Sequence, residues 1–345
     1  MPNLYLPPNK VCFVICPLGR DAQEVLGYPL GLHEMTSCAI RQLAAFPLPS
    51  HKQTHRIEAT RVLEVMAVKV VTDSVADLPY EVIKELGITV VPIPIRFGEK
   101  VYRDNIDLTA DQFYEKLKHS MVLPVTSVPT PATFAQVYDR LAEQTDEILA
   151  IIISSKLSGT YEVASQSVGL MKTKCRVEVV DSRWGAMTEG FIVMKAAETA
   201  RAGASLDEVI DVTQKTIPRV DLLCTFDTLE YLRRGGRIGK GQALLGSLLS
   251  VNPILTLRDG VAEPVGRTRS RAKAIERLYG FAMSYSYVEE MAVEDAACPD
   301  EAEALLKRLS AKFPKERIHR SELTPAIGTH TGPGTLMVAV LGDKE

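Results

Sequence analysis

Ile148-Leu149-Ala150-Ile151-Ile152-Ile153 is followed at once by Ser154-Ser155-Lys156-Leu157-Ser158-Gly159-Thr160-Tyr161. Six apolar residues without polar alternation suit a strand covered on both faces, as at the centre of a parallel sheet. The polar stretch behind it then lies where the strand ends, and Ser158 reads as the N-cap of a helix beginning at Gly159. A helix start offers unpaired backbone N–H groups and a positive dipole end, so it attracts an anion.

Upstream of this junction, residues 68–72 are strand-like and residues 79–86 carry a helical pattern opened by Pro79. Residues 88–95 form a second β-branched run, which Pro92 and Pro94 place at an edge or on a bend. Residues 108–119 are amphipathic, and Thr130-Pro131 reads as an N-cap and first helical residue of a helix to about Leu141. Downstream, residues 176–180 form the next strand, with helices from about Ala186 and Ser205. Alternating strands and helices predict a largely parallel sheet between helix layers, an α/β/α sandwich over residues 66–219.

Beyond Arg219 the rhythm changes. Residues 222–226, 253–257, 261–265, 287–293, 317–322 and 336–341 are short strand candidates, with helices near 241–249, 271–284 and 300–313. Arg258-Asp259-Gly260 is a hairpin signal between two of the strands. This pattern predicts a second α/β domain, residues 220–345, with a mixed or antiparallel sheet.

The first 65 residues read differently. Prolines 2, 7, 8, 17, 29, 47 and 49 interrupt them, and no apolar period is sustained. The expectation is a non-native or disordered extension, the natural chain beginning near Met66. Composition fits an ordinary globular protein: 345 residues, 46% hydrophobic, 24% charged, formal net charge −3. That charge invites no nucleic acid, and the apolar run at 148–153 is far short of a membrane span. Six cysteines without a C-x-x-C predict reduced thiols, no zinc site and a cytoplasmic setting. No catalytic metal or cofactor is expected.

Several stretches converge. Thr72-Asp73-Ser74…Asp77-Leu78-Pro79, Thr126-Ser127-Val128-Pro129, Leu157-Ser158-Gly159-Thr160-Tyr161, Asp181-Ser182, Leu229…Leu232…Gly235-Gly236-Arg237 and Gly328-Thr329-His330-Thr331-Gly332-Pro333-Gly334 occur in this order. Together the set resembles the DegV family from about Met66 to the C-terminus, with Val128 where the family often has glutamine. The resemblance implies a non-catalytic protein that binds a long-chain fatty acid between two domains. It further implies presentation of the carboxylate to a fatty acid kinase for acyl-phosphate formation. Thr126 and Ser158 are the implied carboxylate ligands, with His330 reaching the head group from the second domain. Ser127, Thr160 and Thr329 are expected to stand behind them. Arg233, Arg234 and Arg237 form a basic turn expected to face the kinase partner or an anionic membrane surface.

Each buried acyl methylene contributes roughly 0.8 kcal/mol, whereas a hydrogen bond to a charged group nets about 1.5–3 kcal/mol. The tail is therefore expected to dominate affinity and the head group to set orientation. The competing reading is an enzyme at the same cleft, a hydrolase or a phosphotransferase. Its motifs are incomplete: Lys156 stands where a nucleophile elbow needs glycine, and residues 234–241 lack the first glycine and final hydroxyl of a P-loop.

Overall fold

The computed structural model describes residues 68–244 and 251–344. The extension expected over residues 1–65 lies outside the described residues, as do residues 245–249 of the helix expected over 241–249. The first half runs β1 (Lys69–Asp73), α1 (Tyr80–Leu86), β2 (Thr89–Val91), β3 (Pro94–Phe97), β4 (Lys100–Arg103), α2 (Ala110–His119) and β5 (Val125–Thr126). It continues with α3 (Pro131–Ala142), β6 (Glu147–Ile152), α4 (Thr160–Ser167), β7 (Arg176–Asp181), α5 (Ala186–Arg201) and α6 (Leu206–Thr216).

Strands β2-β1-β6-β7 pair in parallel in that order. Right-handed crossovers through α1 and α4 run in opposite directions, so these helices cover opposite faces. Helices α5 and α6 pack against β6 on the α1 side, and α3 joins α4 on the other. Both faces of β6 are thus covered, and Ile148, Leu149, Ala150, Ile151 and Ile152 are completely buried. The crossover direction reverses between β1 and β6, a topological switch point, where open α/β sheets form a ligand crevice. Asp73 ties the two strand ends together there. Its Oδ1 accepts the Val75 N–H and its Oδ2 the Ile153 N–H, each at 3.0 Å.

The β-branched run at 88–95 is divided between two sheets. Strand β2 is the edge of the parallel sheet, while β3 pairs antiparallel with β4 and β5 in a separate sheet. Pro92 and Pro94 have no N–H to give to a ladder, so the chain leaves the first sheet after Val91. This small sheet lacks a clear sequence signal, because β5 is only two residues long.

The second half comprises β8 (Val220–Thr225), α7 (Glu230–Arg234), β9 (Asn252–Arg258), β10 (Val261–Thr268), α8 (Arg271–Ala282), β11 (Tyr285–Asp295), α9 (Pro299–Leu309), β12 (Ile318–Glu322), α10 (Pro325–Thr331) and β13 (Leu336–Lys344). Its sheet has the order β10-β9-β8-β13-β11-β12, and only β11 and β12 are parallel to each other. Alternation along its strands separates two faces. Leu223, Ile254, Val293 and Val338 pack with α8 and α9, while Leu222, Cys224, Leu255 and Met337 join the core of the first half. The architecture is two α/β domains, the first with a parallel sheet and the second with a mixed one. The Asp259-Gly260 hairpin forms as expected, with φ of 50° and 79° at its two loop residues.

One local expectation is corrected. Helix α4 begins at Thr160 with Gly159 at its N-cap, so Ser158 lies one residue outside. A tight turn, with Leu157 and Ser158 N–H both donated to the Ser154 carbonyl, uses up the first residues after β6. Residues 328–331 form the end of α10. Pro325 at the first helical position starts that helix, and Gly332, at φ 73°, ends it.

Candidate functional site

A cavity lies between the switch point of the parallel sheet and the inward face of the second sheet. Val75 and Ile153 line it from the strand ends, Leu222 and Cys224 along β8, Phe226 just past its end, and Leu255 from β9. Residues two apart on β8 point the same way, so Leu222 and Cys224, with Leu255 and Met337 on the flanking strands, give a continuous apolar wall.

One end of the cavity is polar, and four chain segments close around it. Thr126 ends β5, and its Oγ1 lies 2.8 Å from His330 Nε2 on α10. Gly235, ending α7, lies so close to the imidazole that a Cβ there would sit 2.2 Å from Nδ1. Arg237, two residues on, donates through Nε to the Leu157 carbonyl at 3.0 Å and through Nη1 to the Gly235 carbonyl. Leu157 precedes Ser158, and Gly159 returns the ring to Val128, whose Cγ1 is 3.5 Å from a Cβ built on that glycine. Thr126, Ser127, Ser158, Arg237 and His330 all line the cavity.

Electrostatics make this end a place for an anion. No Asp, Glu or Lys lines the cavity among the described residues. Arg237 has no carboxylate partner among them, its guanidinium being held by carbonyls alone. Burial, reinforced by the Arg237 charge, lowers the His330 pKa to about 4, so the imidazole is neutral at neutral pH. Its Nδ1 is buried without a partner among the described residues. Ser158 Oγ accepts the Thr160 N–H at 3.2 Å and lies 2.7 Å from Thr160 Oγ1. Hydroxyls, imidazole and guanidinium together supply donors and one positive charge.

The remaining expected residues separate. Thr160 is completely buried behind Ser158. Thr329 is also buried, and its hydroxyl donates to the Pro325 carbonyl within α10, away from the cavity. Arg233 and Arg234 are exposed and both pair with Glu230. Arg237, grouped with them in the sequence, is on the cavity wall instead. The apolar wall residues carried no signal in the sequence, since an inward side chain on a covered strand has the same character whether it faces core or cavity.

Comparison with known proteins places the chain in a family. The family model described as "Uncharacterised protein, DegV family" matches residues 67–343. A DegV domain-containing protein of Streptomyces coelicolor is 39% identical over 277 residues, 79% of this chain and 98% of that protein. A Thermus thermophilus structure, described as fatty acid binding of a DegV family protein, superposes with a TM-score of 0.74 at 33% identity, covering 80% of this chain and all of that one. The Bacillus subtilis DegV structure, described as a fatty acid binding protein, gives a TM-score of 0.74 at 33% identity, covering 80% of this chain and 99% of that one. With a family match from residue 67 to 343 and the switch-point cavity in place, the chain belongs to the DegV family.

Proposed function

We propose that this protein binds a long-chain fatty acid, with the carboxylate among Thr126, Ser158, Arg237 and His330 and the tail along the inward face of the second sheet. The observation that carries this reading is Arg237: a guanidinium at the polar end of a largely apolar cavity, with no carboxylate partner among the described residues. An amphiphile with an anionic head satisfies both ends of such a cavity. The description of the Thermus and Bacillus proteins as fatty acid binding supports the same class of ligand. Extraction of the purified protein with organic solvent, followed by mass spectrometry, tests it. An acyl chain in stoichiometric amount is expected, and a protein that neither carries nor takes up palmitate would overturn it.

The polar end is built for holding more than for hydrolysis. His330 pairs with Thr126 and not with Ser158, its lowered pKa makes it a weak base at neutral pH, and no described residue orients its Nδ1. Burial also pushes the Cys224 thiol pKa up, away from nucleophilic thiolate. We therefore infer a binding protein, its cavity between domains spanning residues 66–219 and 220–345, that presents the carboxylate to a fatty acid kinase. Arg233 and Arg234, exposed beside the Arg237 turn, suit docking to that partner or to an anionic membrane surface. Replacing both by alanine is expected to leave palmitate affinity within twofold and slow acyl-phosphate formation by a cognate kinase. Unchanged turnover at limiting kinase would remove the docking role.

A further inference from the structure

The helix that carries His330 is capped by the other half of the molecule. Thr324 occupies the N-cap position of α10 but makes no side-chain cap hydrogen bond to its own helix. Instead, Asp77 Oδ1 accepts the Thr324 N–H at 3.2 Å, and Asp104 Oδ1 accepts the Ala326 N–H at 3.1 Å. Pro325, between them, has no N–H to satisfy. Both aspartates are almost completely buried and lie more than two hundred residues upstream of the amides they accept.

Each aspartate is held in turn. Asp104 Oδ2 accepts the Ser74 hydroxyl at 2.6 Å, and Ser74 Oγ accepts the Ile93 N–H at 3.0 Å. The Asp77 carbonyl accepts the Ser321 hydroxyl at 2.6 Å. From α2, the Tyr114 hydroxyl donates to the Leu323 carbonyl at 2.9 Å. That same hydroxyl would lie 2.4 Å from a Cβ on Gly328, so α10 rests directly on this ring. Burial disfavours ionisation of both carboxyls, raising Asp104 to about 7, and Asp77 is pushed up further by Glu294 and Asp104. An apolar pair at these positions would avoid that cost but would leave the helix amides bare.

We propose that Asp77 and Asp104 are positioning residues for the head-group end of the cavity: by accepting the Thr324 and Ala326 amides they fix the short helix from which His330 reaches Thr126. The inference rests on the fatty-acid reading of the cavity. A seven-residue helix has little stability of its own. His330 stands four residues beyond Ala326, about 6 Å along the axis, so a tilt at the capped end displaces the imidazole. The cap thereby couples the closure of the two halves to the geometry of the ligand site.

A double-mutant cycle between Asp104→Ala and His330→Ala, read as palmitate affinity by displacement of a fluorescent fatty acid, tests the proposal. Asp104→Ala alone is expected to weaken palmitate about tenfold, and adding His330→Ala to cost less than a further twofold, since the histidine is already displaced. Asp104→Asn, which keeps an acceptor for the Ala326 amide, is expected to recover most of the loss. Losses that multiply independently, or no loss from Asp104→Ala, would overturn the positioning role. If the alanine variant does not fold, Asp104→Glu, which moves the acceptor by one methylene, takes its place in the cycle: coupled losses support the role, and independent or absent losses overturn it. Wild-type protein that fails to bind palmitate would instead overturn the fatty-acid reading itself.

Discussion

Gly235 ends its helix with φ −71°, a value any residue adopts, so its constraint is one of space and not of backbone conformation. A methyl group there would meet His330 Nδ1 at 2.2 Å and Cε1 at 3.1 Å. The ring must then turn or retreat, and the 2.8 Å contact to Thr126 goes with it. Gly235→Ala is expected to lower palmitate affinity by about 1.5 kcal/mol, the low end for a hydrogen bond to a charged group, or roughly tenfold. Displacement titration measures it, and an unchanged affinity would separate His330 from the head group. Arg237 is fixed by the same turn, so the glycine before it and the guanidinium after it serve one wall.

Among elements, the β9–β10 hairpin shows how the second sheet grips the first. Its tip, Asp259-Gly260, packs on the residues that follow β6: the Ser154 hydroxyl donates to the Gly260 carbonyl at 3.0 Å. A Cβ on Gly260 would fall 2.3 Å from that hydroxyl, and φ there is +79°. Gly260→Ala therefore carries two costs. The left-handed conformation costs about 1–2 kcal/mol, and the displaced hydrogen bond adds about 1 kcal/mol. Urea denaturation is expected to show a loss of roughly 2–3 kcal/mol, and a loss of no more than about 1 kcal/mol, which the backbone cost alone supplies, would mean that the Ser154 contact adds nothing to the junction.

For the whole molecule, the junction between the halves holds a set of buried carboxyls. Burial raises Asp73 to about 6, Asp104 to about 7 and Glu294 to about 8, and raises Asp77 and Glu189 as well. In the unfolded chain these groups ionise near pH 4. From pH 4 upward the native state therefore holds more protons than the unfolded state, and stability falls with rising pH. The loss accumulates through the native values, across about pH 4 to 8. His330 acts oppositely, because its native pKa is lowered to about 4; stability is lost there as pH falls from about 6.5. One histidine against five carboxyls leaves the sign negative. The thermal midpoint is expected to be higher at pH 5.5 than at pH 8.0, by about 2–4 °C for each kcal/mol lost. A midpoint that rises over this interval in calorimetry would contradict the protonated junction.

Features under short-range control were legible in the chain alone. The buried run at Ile148–Ile153, the hairpin at Asp259-Gly260 and the proline-opened helix after Thr130 follow from burial periodicity and backbone preference. Thr126, Ser158 and His330 were legible as a set because the segments carrying them match family motifs in order. Their meeting around one polar end depends on long-range packing, as the Thr126–His330 contact joins residues 204 apart. Arg237 shows the same limit at closer range. In sequence it is one of three neighbouring arginines, yet Glu230 holds Arg233 and Arg234 outside while the Leu157 carbonyl draws Arg237 to the cavity. The cap on α10 was hidden for the same reason: a helix end satisfied by its own side chain leaves a local signature, but one satisfied by Asp77 and Asp104 from the other half leaves none.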